Sequence, residues 1–276
     1  MKKISRRSFL AAAAVSVAAV ALTACGGSAS SAASSSAASS EAASSSAAAE
    51  LTTVESGKLT MATNATFPPY EMTTDAGTIE GIDIDTAQAI ADKLGLELQV
   101  DNMEFDSSLL SVQQGKADIV MAGVTVTPER QNVMDFSDSY ATGIQSVIVT
   151  NDSEIATLED LSGHLIGTQR GTTGYLYCTD DFGEDSVIAY DSGLTAVQAL
   201  NNGQVDCVVI DDAPAQAYVA ANPGLKVLDT SYAVEEYAIG IAKGNTALLD
   251  AVNAALAELA EDGTLQAIVD KYITAE

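Results

Sequence analysis

The 276-residue sequence has no tryptophan and only one histidine, three cysteines and five prolines. A single histidine argues against a zinc site built from several imidazoles and against a histidine-dependent catalytic triad. His164 lies between a loop and a strand-like segment, where we expect it to be a surface residue. We predict neither a metal ion nor a cofactor for this chain.

Positive charge is also scarce, with 12 Lys and Arg against 38 Asp and Glu. Four of the basic residues fall in the first ten positions, so 8 basic residues face 38 acidic ones from Cys25 onward, a formal charge of −30. Proteins that bind nucleic acid or anionic lipid headgroups need basic patches to neutralise phosphates. We therefore expect no nucleic-acid partner and no basic membrane-docking face.

The apolar run at residues 9–22 is shorter than the roughly 20 residues that a membrane-spanning helix needs. It follows a basic start and ends in Leu-Thr-Ala-Cys at 22–25. This arrangement predicts an export signal over residues 1–25 whose Cys25 is lipidated. An ordinary cleavage site beside a spectator cysteine is the alternative. Ser-Arg-Arg-Ser-Phe-Leu at 5–10 resembles a twin-arginine export motif, and the general export route also remains open.

Residues 26–50 consist almost entirely of serine, alanine and glycine. Such a segment predicts a flexible tether, although its alanine content permits transient helix. We therefore expect the remaining chain to lie outside the cytoplasm, held to the cell membrane by a lipid on Cys25. Export permits a disulfide, but Cys207 lies in an apolar strand-like segment, so we favour buried free thiols for Cys178 and Cys207.

Short β-branched segments alternate with helical patterns from residue 58 onward. Residues 82–94 carry apolar side chains with helical spacing and precede Gly95, a helix stop. Strand-like segments flank this helix at 59–63 and 96–100, a nearly all-β-branched strand is expected at 146–150, and similar alternation continues along the chain. The pattern indicates an α/β fold with mostly parallel sheets flanked by helices.

The chain repeats its own plan. Residues 109–121 and 197–209 align with a glycine and an aspartate in register, and both segments end in an apolar strand. Chance similarity between βα units is the alternative to an internal repeat. We predict two related lobes, the first from residues 51–146 plus 238–276 and the second from 147–237, joined by two strand-like crossings.

Parallel α/β sheets bind ligands at the carboxyl ends of their strands. After the strand that ends at Met121, a Gly-Val-Thr loop leads to Pro128 and Arg130, where a helix is expected to begin. Backbone N–H groups, the Thr125 hydroxyl and a bidentate guanidinium would converge there on one carboxylate. The alternative for Arg130 is a surface ion pair, which so acidic a chain offers in many places.

Other strand ends carry complementary groups. Asp211 and Asp212 follow an apolar strand, and we expect one of them to cap the next helix while the other faces the cleft and suits an ammonium group. The glycine- and threonine-rich turn at 169–174 can bind an anion or an amide, but it lacks the Gly-Lys-Ser/Thr of a phosphate loop. Phe67 and Phe105 lie beside strand ends, and core packing is the alternative for both.

Five motifs occur in order between residues 57 and 275. They are Phe-Pro-Pro-Tyr-Glu at 67–71, Gly-Ile-Asp-Ile-Asp at 81–85, Gly-Lys-Ala-Asp at 115–118, Thr-Val-Thr-Pro-Glu-Arg at 125–130 and Asp-Phe-Ser-Asp-Ser-Tyr at 135–140. Together they resemble the polar-amino-acid substrate-binding proteins of ABC importers, solute-binding family 3. The resemblance implies a two-lobed periplasmic-binding-protein fold of type II, whose lobes close on one ligand.

The resemblance also implies roles for residues at the strand ends. Arg130, Thr125 and the Gly123 backbone would hold an α-carboxylate. Asp211 would hold an α-amino group, with Thr173 assisting from the second lobe. Phe67 and Phe105 would sandwich the ligand side chain. The complete predicted ligand site is Asn64, Phe67, Phe105, Ala122, Gly123, Thr125, Arg130, Gln169, Thr172, Thr173 and Asp211.

We therefore expect a monomeric amino-acid-binding lipoprotein that delivers its ligand to the permease of an ABC importer and catalyses no reaction. A secreted dehydratase-like enzyme on the same fold and a ligand-sensing input to a receptor are the alternatives. Asn64 and Gln169, at positions that vary with the ligand in similar proteins, offer amides rather than charges. We expect a neutral polar ligand, such as glutamine, asparagine, serine or a cystine-like compound, unless Glu71 or Glu104 reaches inward.

Overall fold

The computed structural model describes residues 51–273. The predicted export signal, the lipidation site Cys25 and the tether of residues 26–50 lie outside the described residues. The strands of the described part are β1 (Lys58–Thr63), β2 (Thr66–Phe67), β3 (Glu71–Thr73), β4 (Ile79–Glu80), β5 (Glu97–Asn102), β6 (Ile119–Val120), β7 (Met134–Thr150), β8 (Ile166–Gln169), β9 (Val187–Tyr190), β10 (Cys207–Asp211), β11 (Leu225–Val227) and β12 (Ala233–Ala242). The helices are α1 (Ile82–Leu94), α2 (Phe105–Gln113), α3 (Pro128–Gln131), α4 (Thr173–Phe182), α5 (Gly193–Asn201), α6 (Asp212–Ala221), α7 (Thr246–Glu261) and α8 (Thr264–Tyr272).

One mixed sheet runs in the order β5-β1-β6-β12-β7-β10-β8-β9, with β11 also paired to β7. On one side, β1 pairs in parallel with β5 and β6, and on the other side β8 pairs in parallel with β9 and β10. The antiparallel strands β12 and β7 join these two parallel groups. The fold is the predicted α/β arrangement, with a first lobe around β1 and a second lobe around β8.

The two crossings between the lobes are continuous strands. β7 extends over 17 residues and β12 over 10, and they pair antiparallel with bulges near Ala238. The predicted lobe boundaries at 146/147 and 237/238 fall inside these two strands, and the exact division stays a prediction. Residues 146–150 were expected as a strand, but β7 begins at Met134. Its first part was missed because aspartate and serine residues interrupt the apolar pattern there.

Equivalent contacts in the two lobes support the internal repeat. The Asp118 carboxylate accepts a hydrogen bond of 2.7 Å from the backbone N–H of Thr60 in β1. The Asp206 carboxylate accepts one of 2.8 Å from the N–H of Leu165, immediately before β8. The two aspartates that the sequence aligned therefore anchor the first strand of each lobe in the same way.

The core forms on both faces of the sheet, because successive strand residues point to opposite sides. In the first lobe, Met61 and Ile119 pack in one cluster with residues of α1 and α7, whereas their neighbours Ala62 and Val120 pack in another with α2. The second lobe divides similarly, with α4 on one face and α5 and α6 on the other. Two layers of helices thus hold each group of parallel strands.

The remaining cysteines lie within the core of the second lobe. Cys178 and Cys207 are buried in one apolar cluster as free thiols, as we favoured. Burial raises the pKa of both thiols, that of Cys178 to about 12. His164 is partly exposed, with its Nδ1 3.2 Å from an Asp206 oxygen. None of the helices within residues 51–273 has the length and apolar character needed to cross a membrane.

Candidate functional site

A pocket forms where residues at or just beyond the ends of β1, β6, β8 and β10 converge. All eleven predicted ligand-site residues line this pocket. Four further lining residues are Glu71, Gln145, Val209 and Ile210. The structure thus brings the predicted residues together, while their contacts with a ligand stay a prediction.

Arg130 is buried in the pocket wall, with 9% of its surface exposed. The helix α3 that carries it begins at Pro128, and the Thr127 hydroxyl caps it by accepting from the Arg130 N–H. The guanidinium donates from Nη1 to the carbonyl of Thr125 (2.8 Å) and from Nη2 to the carbonyl of Gly171 (3.1 Å). Burial lowers its pKa, and the nearby carboxylate of Glu235 acts against that shift. Arg130 is therefore a buried cation rather than half of a surface ion pair.

Asp211 ends β10 and supplies a buried carboxylate to the pocket. Its oxygens accept from the Tyr237 hydroxyl and from Nε2 of Gln145 (2.7 Å). Burial raises its pKa to about 7, although these two donors act in the opposite direction. The expectation that Asp211 or Asp212 caps α6 was wrong, because the Asp211 side chain makes no cap bond and Asp212 accepts from Ser146 (3.1 Å).

Three groups to which the resemblance gave a role have acceptors within the protein. The backbone N–H of Gly123 donates to Asp83 (3.0 Å). The hydroxyls of Thr125 and Thr173 both donate to one oxygen of Glu235, over 3.2 and 3.0 Å. The protons of Gly123 and Thr125, which the resemblance placed on a ligand carboxylate, and the hydroxyl proton of Thr173, which it placed near the α-amino group, are therefore all directed at protein carboxylates.

A pair of buried acids lies behind this part of the pocket. Burial and the neighbouring Asp83 carboxylate raise the pKa of Glu71 well above its ordinary value. Burial likewise raises the pKa of Asp83 to about 6, against hydrogen bonds from Gly123 and from the Tyr140 hydroxyl (2.8 Å). Burial and the Asp83 carboxylate thus both favour the neutral form of Glu71.

Two amide side chains meet across the pocket, one from each lobe. Nε2 of Gln169 donates to Oδ1 of Asn64 over 2.9 Å, and Asn64 donates to the carbonyl of Met103 (2.8 Å). The two amides hold equivalent positions in the two lobes. Asn64 lies three residues beyond Met61, which pairs with Ile119, and Gln169 lies three residues beyond Ile166, which pairs with Cys207. The pseudo-symmetry of the lobes therefore produces facing amides in the cleft.

The two predicted phenylalanines lie in the same pocket wall as the polar groups. Phe67 stacks against Tyr70 with ring centroids 6.0 Å apart. The Arg130 guanidinium carbon lies 5.4 Å from the centroid of the Phe105 ring, within the range of a cation–π contact. Each phenylalanine is largely buried and also lines the pocket, so core packing and pocket lining are combined in both.

Comparison with known proteins assigns the chain to a family. The family model for bacterial extracellular solute-binding proteins, family 3, matches residues 59–275. The chain belongs to this family.

Relatives within family 3 are of similar length. The chain is 33% identical to the L-cystine-binding protein TcyJ of Escherichia coli (strain K12) over 225 residues, covering 80% of this chain and 85% of the relative. It is 35% identical to ABC transporter arginine-binding protein 1 of the same organism over 220 residues, covering 78% and 90%. A solved structure of an ancestral arginine-binding protein bound to glutamine has 40% identity and a TM-score of 0.76, with 79% of this chain and 99% of that chain covered.

Two polar residues next to the pocket of this family-3 protein, Gln145 and Glu235, were missed from the sequence. Both lie within the crossing strands, away from the carboxyl ends of the parallel strands at which ligand residues are expected. A signal existed for Glu235. Alternation from the buried Tyr237 places Glu235 inward, while the apolar Val234 is 69% exposed. An acid facing inward beside an apolar residue facing outward is a pattern that can mark a polar site.

Proposed function

We propose that this protein binds one free amino acid with a neutral polar side chain and delivers it to the permease of an ABC importer. Amino-acid binding for ABC import is the activity for which its relatives are named, among them cystine-, arginine- and glutamine-binding proteins. The chain belongs to the same functional class. It acts outside the cytoplasm, in agreement with the description of its family as extracellular solute-binding proteins.

One observation carries the proposal. A buried arginine and a buried aspartate line the same pocket, and an amino-acid zwitterion has one end for each. Arg130 has five N–H donors, of which contacts to two carbonyls use only a part, so donors remain for a carboxylate. The Asp211 carboxylate retains acceptor capacity for an ammonium group.

The preference for a neutral side chain follows from the facing amides and from Glu71. Asn64 and Gln169 can donate and accept, but neither can neutralise a charge. Burial raises the pKa of Glu71 well above its ordinary value, which favours the neutral form of this carboxyl and makes it a poor partner for a cation. A cationic side chain buried among these groups would lack a partner, which is costly.

Arginine is the second candidate ligand. It is favoured by the names of several relatives that are 31–40% identical, and by the position of Glu71 in the pocket lining. Calorimetric titration of the protein with glutamine, cystine, arginine and lysine separates the two candidates. The proposal expects glutamine or cystine to bind most tightly, and tightest binding by arginine or lysine would contradict the preference for a neutral ligand.

We further propose that the protein acts as a monomer, binds without catalysis and is anchored by a lipid on Cys25. The ends of the ligand are held by Arg130 and Asp211, and the roles assigned to these residues require no bond to break. Incubation with each amino acid, followed by mass analysis, is expected to return the amino acid unchanged, and a new product would favour the enzyme alternative. Cys25→Ser is expected to abolish incorporation of labelled fatty acid and to release the protein from cells.

We also propose transport rather than receptor sensing. The support is the ABC transporter named in the relatives' descriptions, since the chain is at least 31% identical to them over most of its length. Co-purification from detergent with the permease encoded nearest to this gene is the test. Association with a signalling receptor instead of a permease would favour the sensing alternative.

A further inference from the structure

The Glu235 carboxylate touches both lobes of the protein from a crossing strand. It is 95% buried, since only 5% of the residue surface is exposed. A single oxygen, Oε2, accepts from Thr125 in the first lobe, from Thr173 in the second lobe and from Nε2 of Gln145 in β7 (2.9 Å). Its other oxygen, Oε1, is also buried, and the Tyr177 hydroxyl is directed at the same carboxylate.

These contacts fix the direction of two hydroxyl groups. A threonine hydroxyl has one proton to donate and two lone pairs with which to accept. Thr125 and Thr173 both give their proton to Glu235, because a carboxylate oxygen only accepts. Towards anything else in the pocket, the two hydroxyl oxygens can therefore act only as acceptors.

Asp211 belongs to the same polar group. Nε2 of Gln145 donates to Asp211 as well as to Glu235 and so connects the two carboxylates. Both threonine hydroxyls are bonded directly to Oε2 of Glu235, so the Asp211 carboxylate and the two hydroxyls form one hydrogen-bonded network. Thr125, Thr173 and Asp211 all line the pocket. An ammonium group has three N–H donors to offer to such a set of acceptors.

We propose that Glu235 is a positioning residue that makes Thr125 and Thr173 acceptors for the α-ammonium of the amino acid, together with Asp211. The inference rests on the proposed function, and it reassigns Thr125, which the resemblance placed on the carboxylate. The ligand carboxylate is then held by the remaining N–H donors of Arg130 and by N–H groups in the first turn of α4, which lack helical partners.

The test compares amino acids with compounds that lack only the α-ammonium. The probes are L-glutamine with 4-carbamoylbutanoate, and L-arginine with 5-guanidinopentanoate. For each pair, calorimetry gives a discrimination ratio, the Kd of the deaminated compound divided by the Kd of the amino acid. The proposal expects Glu235→Met, which frees both hydroxyl protons, to lower this ratio about 10-fold or more. Glu235→Gln, which keeps one acceptor oxygen, should lower it less.

Glu236 provides the matched control. It is the next residue of β12 and is exposed, so Glu236→Met and Glu236→Gln make the same chemical changes away from the pocket. Both control variants should keep the wild-type ratio. Equal weakening of both compounds of a pair in Glu235→Met and Glu235→Gln, with the ratio unchanged, would mean that Glu235 has only a structural role and would overturn the proposal.

Valine variants test the hydroxyls directly and do not depend on the folding of Glu235 variants. Thr125→Val and Thr173→Val keep the side-chain shape and remove the oxygen. Loss of affinity for L-glutamine or L-arginine with little change for the deaminated partner supports the acceptor role. A similar loss for both compounds would place the hydroxyls on the carboxylate and contradict the proposal. Titration of the wild-type protein with the amino acids tests the proposed function separately, because it requires neither a variant nor a discrimination ratio.

Discussion

At the scale of single residues, the account depends on two buried charges in an acidic protein. Arg130 and Asp211 line one pocket, and neither is hydrogen-bonded to the other. Each is held by neutral groups, two carbonyls for the guanidinium and a hydroxyl and an amide for the carboxylate. This separation leaves both charges suited to the two ends of a zwitterion.

Replacing Arg130 is expected to remove most of the binding. Arg130→Ala would leave a buried ligand carboxylate without its cation, which costs roughly 3–5 kcal/mol, or a few hundred- to several thousand-fold in affinity. Arg130→Lys should also bind poorly, because a lysine lacks the planar pair of donors. Calorimetry with the best wild-type ligand measures both. Near-normal binding by the alanine variant would place the carboxylate elsewhere.

The raised pKa of Asp211 predicts pH-dependent binding. Because burial raises this pKa to about 7, Asp211 is largely protonated at pH 5.5 and largely ionised at pH 8. An α-ammonium favours the ionised form, so binding below the pKa must release a proton. Affinity should therefore rise with pH, by up to about 10-fold per unit below the pKa. Calorimetry from pH 5.5 to 8 tests this, and Asp211→Asn should bind weakly without the rise. A wild-type affinity that is constant over this range would contradict the assignment.

The sequence predicted the pocket residues at strand ends, because the carboxyl ends of parallel strands meet at one edge of a sheet. It did not predict the hydrogen-bond partners inside the pocket. The direction of the Thr125 hydroxyl depends on Glu235, which is 110 residues away in the chain. Such a contact follows from the bridge between Thr125 and Tyr237 of β12, and single-sequence patterns do not contain that information.

At the scale of elements, the turn between β8 and α4 brings the second lobe against the first. Gly171 in this turn has φ +74°, and a Cβ there would clash with the Asp106 side chain of α2. The Gly171 carbonyl also accepts from Arg130. Helix α2 belongs to the first lobe, so this glycine allows the close approach of the two lobes at the pocket.

Gly171→Ala is therefore expected to weaken ligand binding a few-fold, because the added methyl group must displace the exposed Asp106 carboxylate where the two lobes meet. The matched control is Gly163→Ala. Gly163 has a similar φ of +87°, but a Cβ there meets no atom within 4 Å. Both variants should lose about 1–2 kcal/mol of stability from backbone strain, and only Gly171→Ala should lose affinity. Melting curves and calorimetry measure the two effects, and equal affinities in the two variants would contradict this role for Gly171.

Regular elements were the most predictable part of the fold. Helix α1 has the predicted bounds, because its apolar face and its stop at Gly95 are both local signals. The crossing strand β7 was predicted only over its last residues. Its first part pairs with β12, which lies about 100 residues further along the chain, and that pairing rather than its own apolar pattern makes it a strand.

At the scale of the whole molecule, the proposed binding mechanism predicts that the two lobes close on the ligand. Arg130 and Phe67 belong to the predicted first lobe, and Asp211 and Thr173 to the second. A ligand that contacts both lobes stabilises the closed state by its differential contacts. Small-angle scattering should show a more compact protein with saturating ligand than without it. Identical profiles would indicate that the lobes do not move or that one lobe binds alone.

Thermal melting is the most direct way to learn whether the pocket binds a free amino acid. The melting temperature is measured in the presence of each of the twenty amino acids and of cystine. A ligand at 100 times its Kd stabilises the folded state by about 2.7 kcal/mol. For a folded part of this size, that corresponds to a rise in Tm of roughly 5–10 °C. The account predicts such a rise for one or a few polar amino acids. No rise with any of them at millimolar concentration would contradict it.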